Sequence, residues 1–117
     1  EWPGFEPTDV LLTGSSAGGI GVLLHADAVS AHWPAARVKA SPDSGFFYAA
    51  VRSLRDYRRG AATPPALMGL HAGWSPFLHP GCAAANGGAA EERCTHAHLL
   101  HPHVRTPLFV RENQRAA

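Results

Sequence analysis

The feature that most constrains this chain is the pentapeptide Gly14-Ser15-Ser16-Ala17-Gly18, which follows the apolar run Val10 to Leu12. A Gly-x-Ser-x-Gly turn between a strand and a helix is the sequence form of a nucleophile elbow, in which one strained serine stands at the end of a parallel sheet. Ile20, Leu23 and Leu24 follow at helical spacing and predict that helix. Glycine is expected at positions 14 and 18 because strand and helix approach too closely for Cβ atoms there.

The middle residue of the motif, Ser16, is the predicted nucleophile. Its hydroxyl would stand near a helix N-terminus, where backbone N–H groups favour developing negative charge, and the N–H of Ala17 is the predicted oxyanion donor. The same pattern also fits an ordinary Gly/Ser-rich loop that holds nothing or cradles an anion. The strand-like run before the motif and the helical spacing after it favour the elbow.

The rest of the chain predicts an α/β fold with parallel strands, because strand and helix patterns alternate. Proline, glycine and apolar spacing place a helix over 17–32, a strand over 37–40 after the strand over 9–12, and a turn over 41–45. Further helices are expected over 46–59, 66–71 and 89–100 (interrupted near Cys94), a loop over 73–88 and a third strand over 106–110.

The length and net charge of the chain limit its domain organisation and its possible partners. A chain of 117 residues suits one domain or part of a larger one, and Glu1-Trp2-Pro3 reads as the middle of a protein. We therefore expect a single partial domain over 1–117, truncated at both ends and without a signal peptide in this stretch. A net charge of +1 gives no electrostatic case for a nucleic acid partner, and no apolar run predicts a transmembrane segment.

Several blocks of the sequence, in order, resemble the pectin acetylesterase family, including its Notum-like carboxylesterases. They are Leu11 to Gly19, Leu24 to Asp27, Asp43 to Phe47, Cys82 to Ala84, Glu91 to Cys94 and Thr106 to Val110. The resemblance covers roughly residues 9 to 110, nearly the whole chain. It implies a partial α/β-hydrolase fold, in which a nucleophile-elbow helix follows one strand of the parallel sheet.

The activity implied by the resemblance is hydrolysis of a carboxylic ester through an acyl-enzyme on Ser16, without a cofactor. The implied substrate is an acylated polysaccharide, such as pectin carrying acetyl groups. Two alternatives remain open, a Notum-like deacylase that removes a lipid from a protein and a hydrolase-like binding domain without activity. The resemblance also implies a secreted or cell-wall location and a disulfide between Cys82 and Cys94.

A serine hydrolase also needs an acid and a base, and the chain order of α/β-hydrolases is serine, acid, histidine. Asp43, after the second strand, is a candidate acid, or else an Asx-turn residue that caps the following helix. In the family the acid lies a few residues beyond the Pro-Leu-Phe block, where this chain offers only Glu112 as a weak substitute. The family's catalytic histidine lies further downstream.

The eight histidines of this chain do not obviously supply the base. His25 is expected to pack or form a hydrogen bond on the elbow helix. Four others, at alternate or near-alternate positions, could share one strand face and bind a metal ion; they are His96, His98, His101 and His103. No Cys/His spacing of a zinc module is present, so a His-rich surface segment is the favoured interpretation and no metal is predicted.

Overall fold

A computed structural model of the chain describes residues 4–45 and 77–112. It begins with a β–α–β unit made of strand β1 (Asp9–Ser15), helix α1 (Ala17–His32) and strand β2 (Arg37–Asp43). The two strands are parallel, with Asp9 opposite Arg37 and Ser15 opposite Asp43. Because the pairing continues without a bulge to Ser15 and Asp43, the carboxyl ends of both strands lie at the same edge of the sheet. The turn at Ser16 lies at that edge.

A third segment, residues 107–111, runs parallel to β2 on the side away from β1. Isolated bridges join Ala40 to Leu108 and Asp43 to Arg111. Backbone hydrogen bonds of 2.9 Å run from Ala40 to the Pro107 carbonyl and from Phe109 to the Ala40 carbonyl. The expected third strand is therefore present as a parallel segment with bridges to β2, without the continuous ladder that β1 and β2 share.

A group of short helices packs against α1 around Leu23. They are α2 (Pro80–Asn86), α3 (Ala90–Arg93) and α4 (Ala97–Leu100), with 3-10 turns at Gly87–Ala89 and His101–His103. Cys82 and Cys94 form a disulfide that joins this group, with Cα atoms 5.8 Å apart. Both cysteines are fully buried, in one apolar cluster with Leu23 of α1 and Leu100.

Helix α1 thus has two buried faces. Leu23 faces the disulfide cluster, while Val22 and Ala26 pack with Ala40 of β2 against the sheet. Burial on both sides explains why a helix with three glycines in its first five residues persists over its full predicted length. No helix in the described ranges is long and apolar enough to cross a bilayer.

The structure differs from the sequence-based expectations at several elements. Both strands extend three residues further than predicted, β2 through Pro42 to Asp43, because parallel pairing continues through the motif. Part of the expected loop over 73–88 is helix α2, which begins at a proline and is capped by His79. The helices predicted over 46–59 and 66–71 lie outside the described residues.

Candidate active site

Ser16 lies in the sharp turn between β1 and α1. Its backbone has φ 55° and ψ −122°, a conformation that non-glycine residues rarely adopt and that costs free energy. A hydrogen bond of 2.9 Å from its N–H to the carbonyl of Asp43 holds the turn against β2. The side chain is exposed and makes no capping hydrogen bond to the helix, so the hydroxyl is open to a ligand.

The backbone at this turn leaves the next amide available. The Ser16 N–H is already bonded to Asp43 and the Gly19 N–H to the Ser16 carbonyl, whereas no backbone hydrogen bond among the described residues uses the N–H of Ala17. Ala17 is the first residue of α1, and it is exposed beside Ser16. This arrangement is suited to stabilising a negative charge that develops next to the serine hydroxyl.

The two glycines of the motif play different parts. A Cβ at Gly14 would lie 2.5 Å from the carbonyl oxygen of Gly18, so a side chain there would displace the helix. A Cβ at Gly18 would meet nothing within 4 Å among the described residues. The expectation that both positions lack room for a Cβ therefore holds at Gly14 and is wrong at Gly18, where the crowding involves only the backbone.

Asp43, the candidate acid, ends β2 directly beside the elbow. Its carboxylate accepts a hydrogen bond of 3.1 Å from the Ser44 hydroxyl and lies 3.7 Å from a guanidinium nitrogen of Arg111. Neither partner is a histidine. Its contact with Ser16 is through the main-chain carbonyl, and Glu112 lies just beyond the third segment.

No hydrogen bond in the described ranges joins the Ser16 hydroxyl to a histidine or a carboxylate. His25 stacks on Phe77, with ring centroids 4.6 Å apart, as part of the packing of α1. His79 is buried and its Nε2 lies 3.0 Å from Oδ2 of Asp27. Asp27 comes eleven positions after Ser16 along α1, or about 16 Å at 1.5 Å per residue, so this pair lies away from the elbow.

The Asp27–His79 pair belongs to a junction that sequence reasoning missed. The Asp27 carboxylate also accepts hydrogen bonds from the backbone of Arg105 and from the backbone and hydroxyl of Thr106. His79 in turn accepts a bond at Nδ1 from the Cys82 N–H, which assigns its proton to Nε2. The only sequence signal for Asp27 was its presence in one of the resemblance blocks.

The hydrogen bonds at this junction change the acidity of Asp27. Partial burial alone would raise the pKa of its carboxyl group. The bonds from Thr106, Arg105 and His79 outweigh burial and lower the pKa from 3.8 to about 2. Asp27 is therefore ionised at any physiological pH and joins α1 to the start of the third segment.

The remaining candidate features lie elsewhere. A groove of about 940 Å³ opens beside Asp27, and its lining includes Leu24, Phe77, His79 and Pro107 but no elbow residue from the described part of the chain. The strand face of histidines, the alternative to a His-rich surface segment, does not form, because His98 lies in α4 and the next two histidines lie in a 3-10 turn. In residues 4–45 and 77–112 no three His, Cys, Asp or Glu side chains converge as a metal site would require.

Comparison with known proteins covers nearly the whole chain. The family model for pectinacetylesterase matches residues 6–114. Two curated relatives are each 32% identical over 114 residues, covering 86% of this chain, and both are named palmitoleoyl-protein carboxylesterases: notum1 of Xenopus laevis and NOTUM of Mus musculus. The aligned region is 22% of each relative, so this chain spans about a fifth of their length.

Proposed function

The chain belongs to the pectinacetylesterase family, and on that basis we propose that it carries the nucleophile of a carboxylic ester hydrolase, with Ser16 as the attacking group. The observation that carries this proposal is the left-handed backbone of Ser16, held in the turn between β1 and α1. A serine strained in this way, exposed and not used as a helix cap, is expected where the hydroxyl must reach a substrate.

In the proposed reaction the Ser16 oxygen forms a bond to the acyl carbon while its proton passes to a base. The carbonyl oxygen becomes negative, and the Ala17 N–H stabilises it, since the Ser16 N–H is committed to Asp43. The alcohol leaves with a proton, and water then releases the acid from the acyl-enzyme. This chemistry needs no cofactor, and its acid and base come from residues other than the described contacts of Ser16.

We propose that residues 1–117 form part of one α/β-hydrolase domain. The parallel order β1, β2, third segment and the position of α1 support this, because an α/β-hydrolase presents its serine at the end of a parallel sheet. The Cys82–Cys94 disulfide supports a location in an oxidising compartment, such as the extracellular space or cell wall.

The proposed substrate is an acetylated polysaccharide, as the description of the family model suggests. The names of the two relatives favour a second candidate, removal of a lipid acyl group from a protein. The two differ in the acyl chain that the site must admit. Rates on a series of p-nitrophenyl esters of increasing chain length separate them, because a short pocket excludes the longer chains.

The test of the nucleophile uses the protein expressed from its complete reading frame. Hydrolysis of p-nitrophenyl acetate should fall to background in Ser16→Ala, while Ser15→Ala, the matched control in the same motif, should retain most of the rate. A short incubation quenched in acid should show the acyl group on the peptide containing Ser16. Activity that survives Ser16→Ala removes the assignment, and a folded wild-type protein without activity on any ester points to a binding domain.

A further inference from the structure

The first turn of α1 and the chain just after β2 meet backbone to backbone at Gly19 and Gly45, both of which are buried. A Cβ at Gly19 would lie 2.7 Å from the Gly45 Cα, and a Cβ at Gly45 would lie 2.6 Å from the carbonyl carbon of Gly19. Cβ atoms essentially never approach other heavy atoms within 3.0 Å. A side chain at either position would therefore force the helix and the strand apart.

The same short segment, from the last residue of β2 to Gly45, also holds Ser16. Asp43 accepts the Ser16 N–H, and two residues later Gly45 reaches Gly19. The residue between them, Ser44, has a left-handed φ of 52°, which turns the chain toward α1. Its N–H donates a hydrogen bond of 2.8 Å to the Arg111 carbonyl. The end of β2 thus contacts the Ser16 backbone and the helix that follows it.

We propose that the Gly19–Gly45 contact is a positioning device for Ser16, which sets the orientation of the hydroxyl and of the Ala17 N–H relative to the sheet. This inference rests on the proposed role of Ser16 as nucleophile. Gly19 is directly coupled to the serine, because its N–H donates a hydrogen bond of 2.9 Å to the Ser16 carbonyl. A shift of the helix at Gly19 is transmitted to the Ser16–Asp43 hydrogen bond.

The position of this contact predicts which kinetic constant it controls. Gly19 and Gly45 are buried under the elbow, so they set the geometry of the attacking group without meeting the substrate. A displaced nucleophile lowers the rate of the chemical step, whereas substrate binding depends on other surfaces. A purely structural role would instead lower the melting temperature and leave the turnover of the folded molecules unchanged.

The experiment compares Gly19→Ala with Gly21→Ala in the protein expressed from its complete reading frame. Both glycines lie in α1, so each substitution favours the helix equally, but a Cβ at Gly21 meets nothing within 4 Å of the described residues. For p-nitrophenyl acetate, kcat per folded molecule should fall roughly 100-fold in Gly19→Ala, with KM changed less than about threefold. Gly21→Ala should keep kcat within about twofold. Equal kcat values in the two variants would overturn the proposal.

A second measurement needs no variant and applies even if Gly19→Ala does not fold. Hydrogen exchange of the Ser16 amide in the unaltered protein should be roughly tenfold or more slower than that of the Ala17 amide, because only the former is bonded to Asp43. Equal exchange rates would contradict the proposal.

The esterase assay of Ser16→Ala separates failure of this proposal from failure of the proposed function. If Ser16→Ala is inactive while Gly19→Ala is fully active, only the positioning device is refuted. If Ser16→Ala is active, the assignment of Ser16 as nucleophile is refuted as well.

Discussion

Oδ1 of Asp27 accepts two hydrogen bonds from Thr106, one of 2.8 Å from its backbone N–H and one of 2.7 Å from its hydroxyl. Thr106 is buried, and it immediately precedes the third parallel segment. One carboxylate on helix α1 therefore holds Thr106, seventy-nine residues further along the chain, and so fixes where that segment starts. Asp27 and His79 also join α1 to the cap of α2, so three elements depend on this junction.

Asp27→Asn should lower the free energy of unfolding by about 2 to 3 kcal/mol. An asparagine keeps only one acceptor oxygen, and its NH₂ group faces either Thr106, which donates to Oδ1, or His79, which contacts Oδ2, so a buried donor loses its acceptor. Urea denaturation measures the loss. Asp9→Asn is the matched control, because Asp9 makes an exposed pair with Arg37, and its replacement should leave stability nearly unchanged. Equal losses in the two variants would contradict the role of the junction.

The free energy of unfolding should fall at acid pH, over a pH range set by the pKa of Asp27. The pKa of its carboxyl group is about 2 in the folded state, against 3.8 for an unperturbed aspartate, so the folded state holds the proton less tightly than the unfolded chain. The resulting stability, on the order of 2 kcal/mol, is fully present above about pH 4 and is lost as the pH falls toward 2. Thermal unfolding between pH 5 and 2 should be less pH-dependent in Asp27→Asn than in the wild type. Parallel curves would assign the acid sensitivity to other groups.

Replacing both Cys82 and Cys94 by alanine should cost about 3 kcal/mol or more of stability. The bridge restricts the unfolded chain, and both sulfur atoms lie in the apolar cluster around Leu23 and Leu100. The melting temperature with and without reductant checks the effect. Protein purified from an oxidising compartment should show the bridge by mass spectrometry, and two free thiols there would count against both the disulfide and the proposed location.

Asp43→Asn should lower kcat less than tenfold if Asp43 acts through its carbonyl, and by about 10⁴-fold if it is the catalytic acid. The smaller effect is expected, because asparagine keeps the carbonyl that accepts from Ser16 and can still accept from the Ser44 hydroxyl. Esterase assays of the purified variant distinguish the two. A loss near the larger value would restore Asp43 as the orienting acid.

The 117-residue polypeptide alone should show little or no esterase activity. A serine hydroxyl without a base is almost wholly protonated, and the described contacts of Ser16 include no histidine. Even with triad partners removed, a complete oxyanion hole leaves only about 10³ to 10⁴ over water. Assays of this polypeptide beside the protein from the complete reading frame check the expectation. Strong turnover that disappears in Ser16→Ala would place the base within these residues.

The parts of the fold that could be predicted from sequence are those fixed by local chemistry. The motif around Ser16 predicted a strand, a turn and helix α1, and the apolar spacing predicted the helix to within its observed bounds of Ala17–His32. The order of blocks from Leu11 to Val110 predicted the family to which the chain belongs. The turn, the helix and each block are formed by residues that are neighbours in sequence, so they can be recognised from the linear sequence alone.

Tertiary structure decided what depends on contacts distant in sequence. The extension of β2 to Asp43 comes from pairing with β1, and the need for glycine moved from Gly18 to Gly19 because Gly45 packs there. Asp27 resembled an ordinary helix residue until the fold brought Thr106 and His79 to its carboxylate. The sequence determined which residue is strained at the elbow, whereas the folded chain determined what holds it, because close backbone packing and buried hydrogen bonds exist only once distant segments meet.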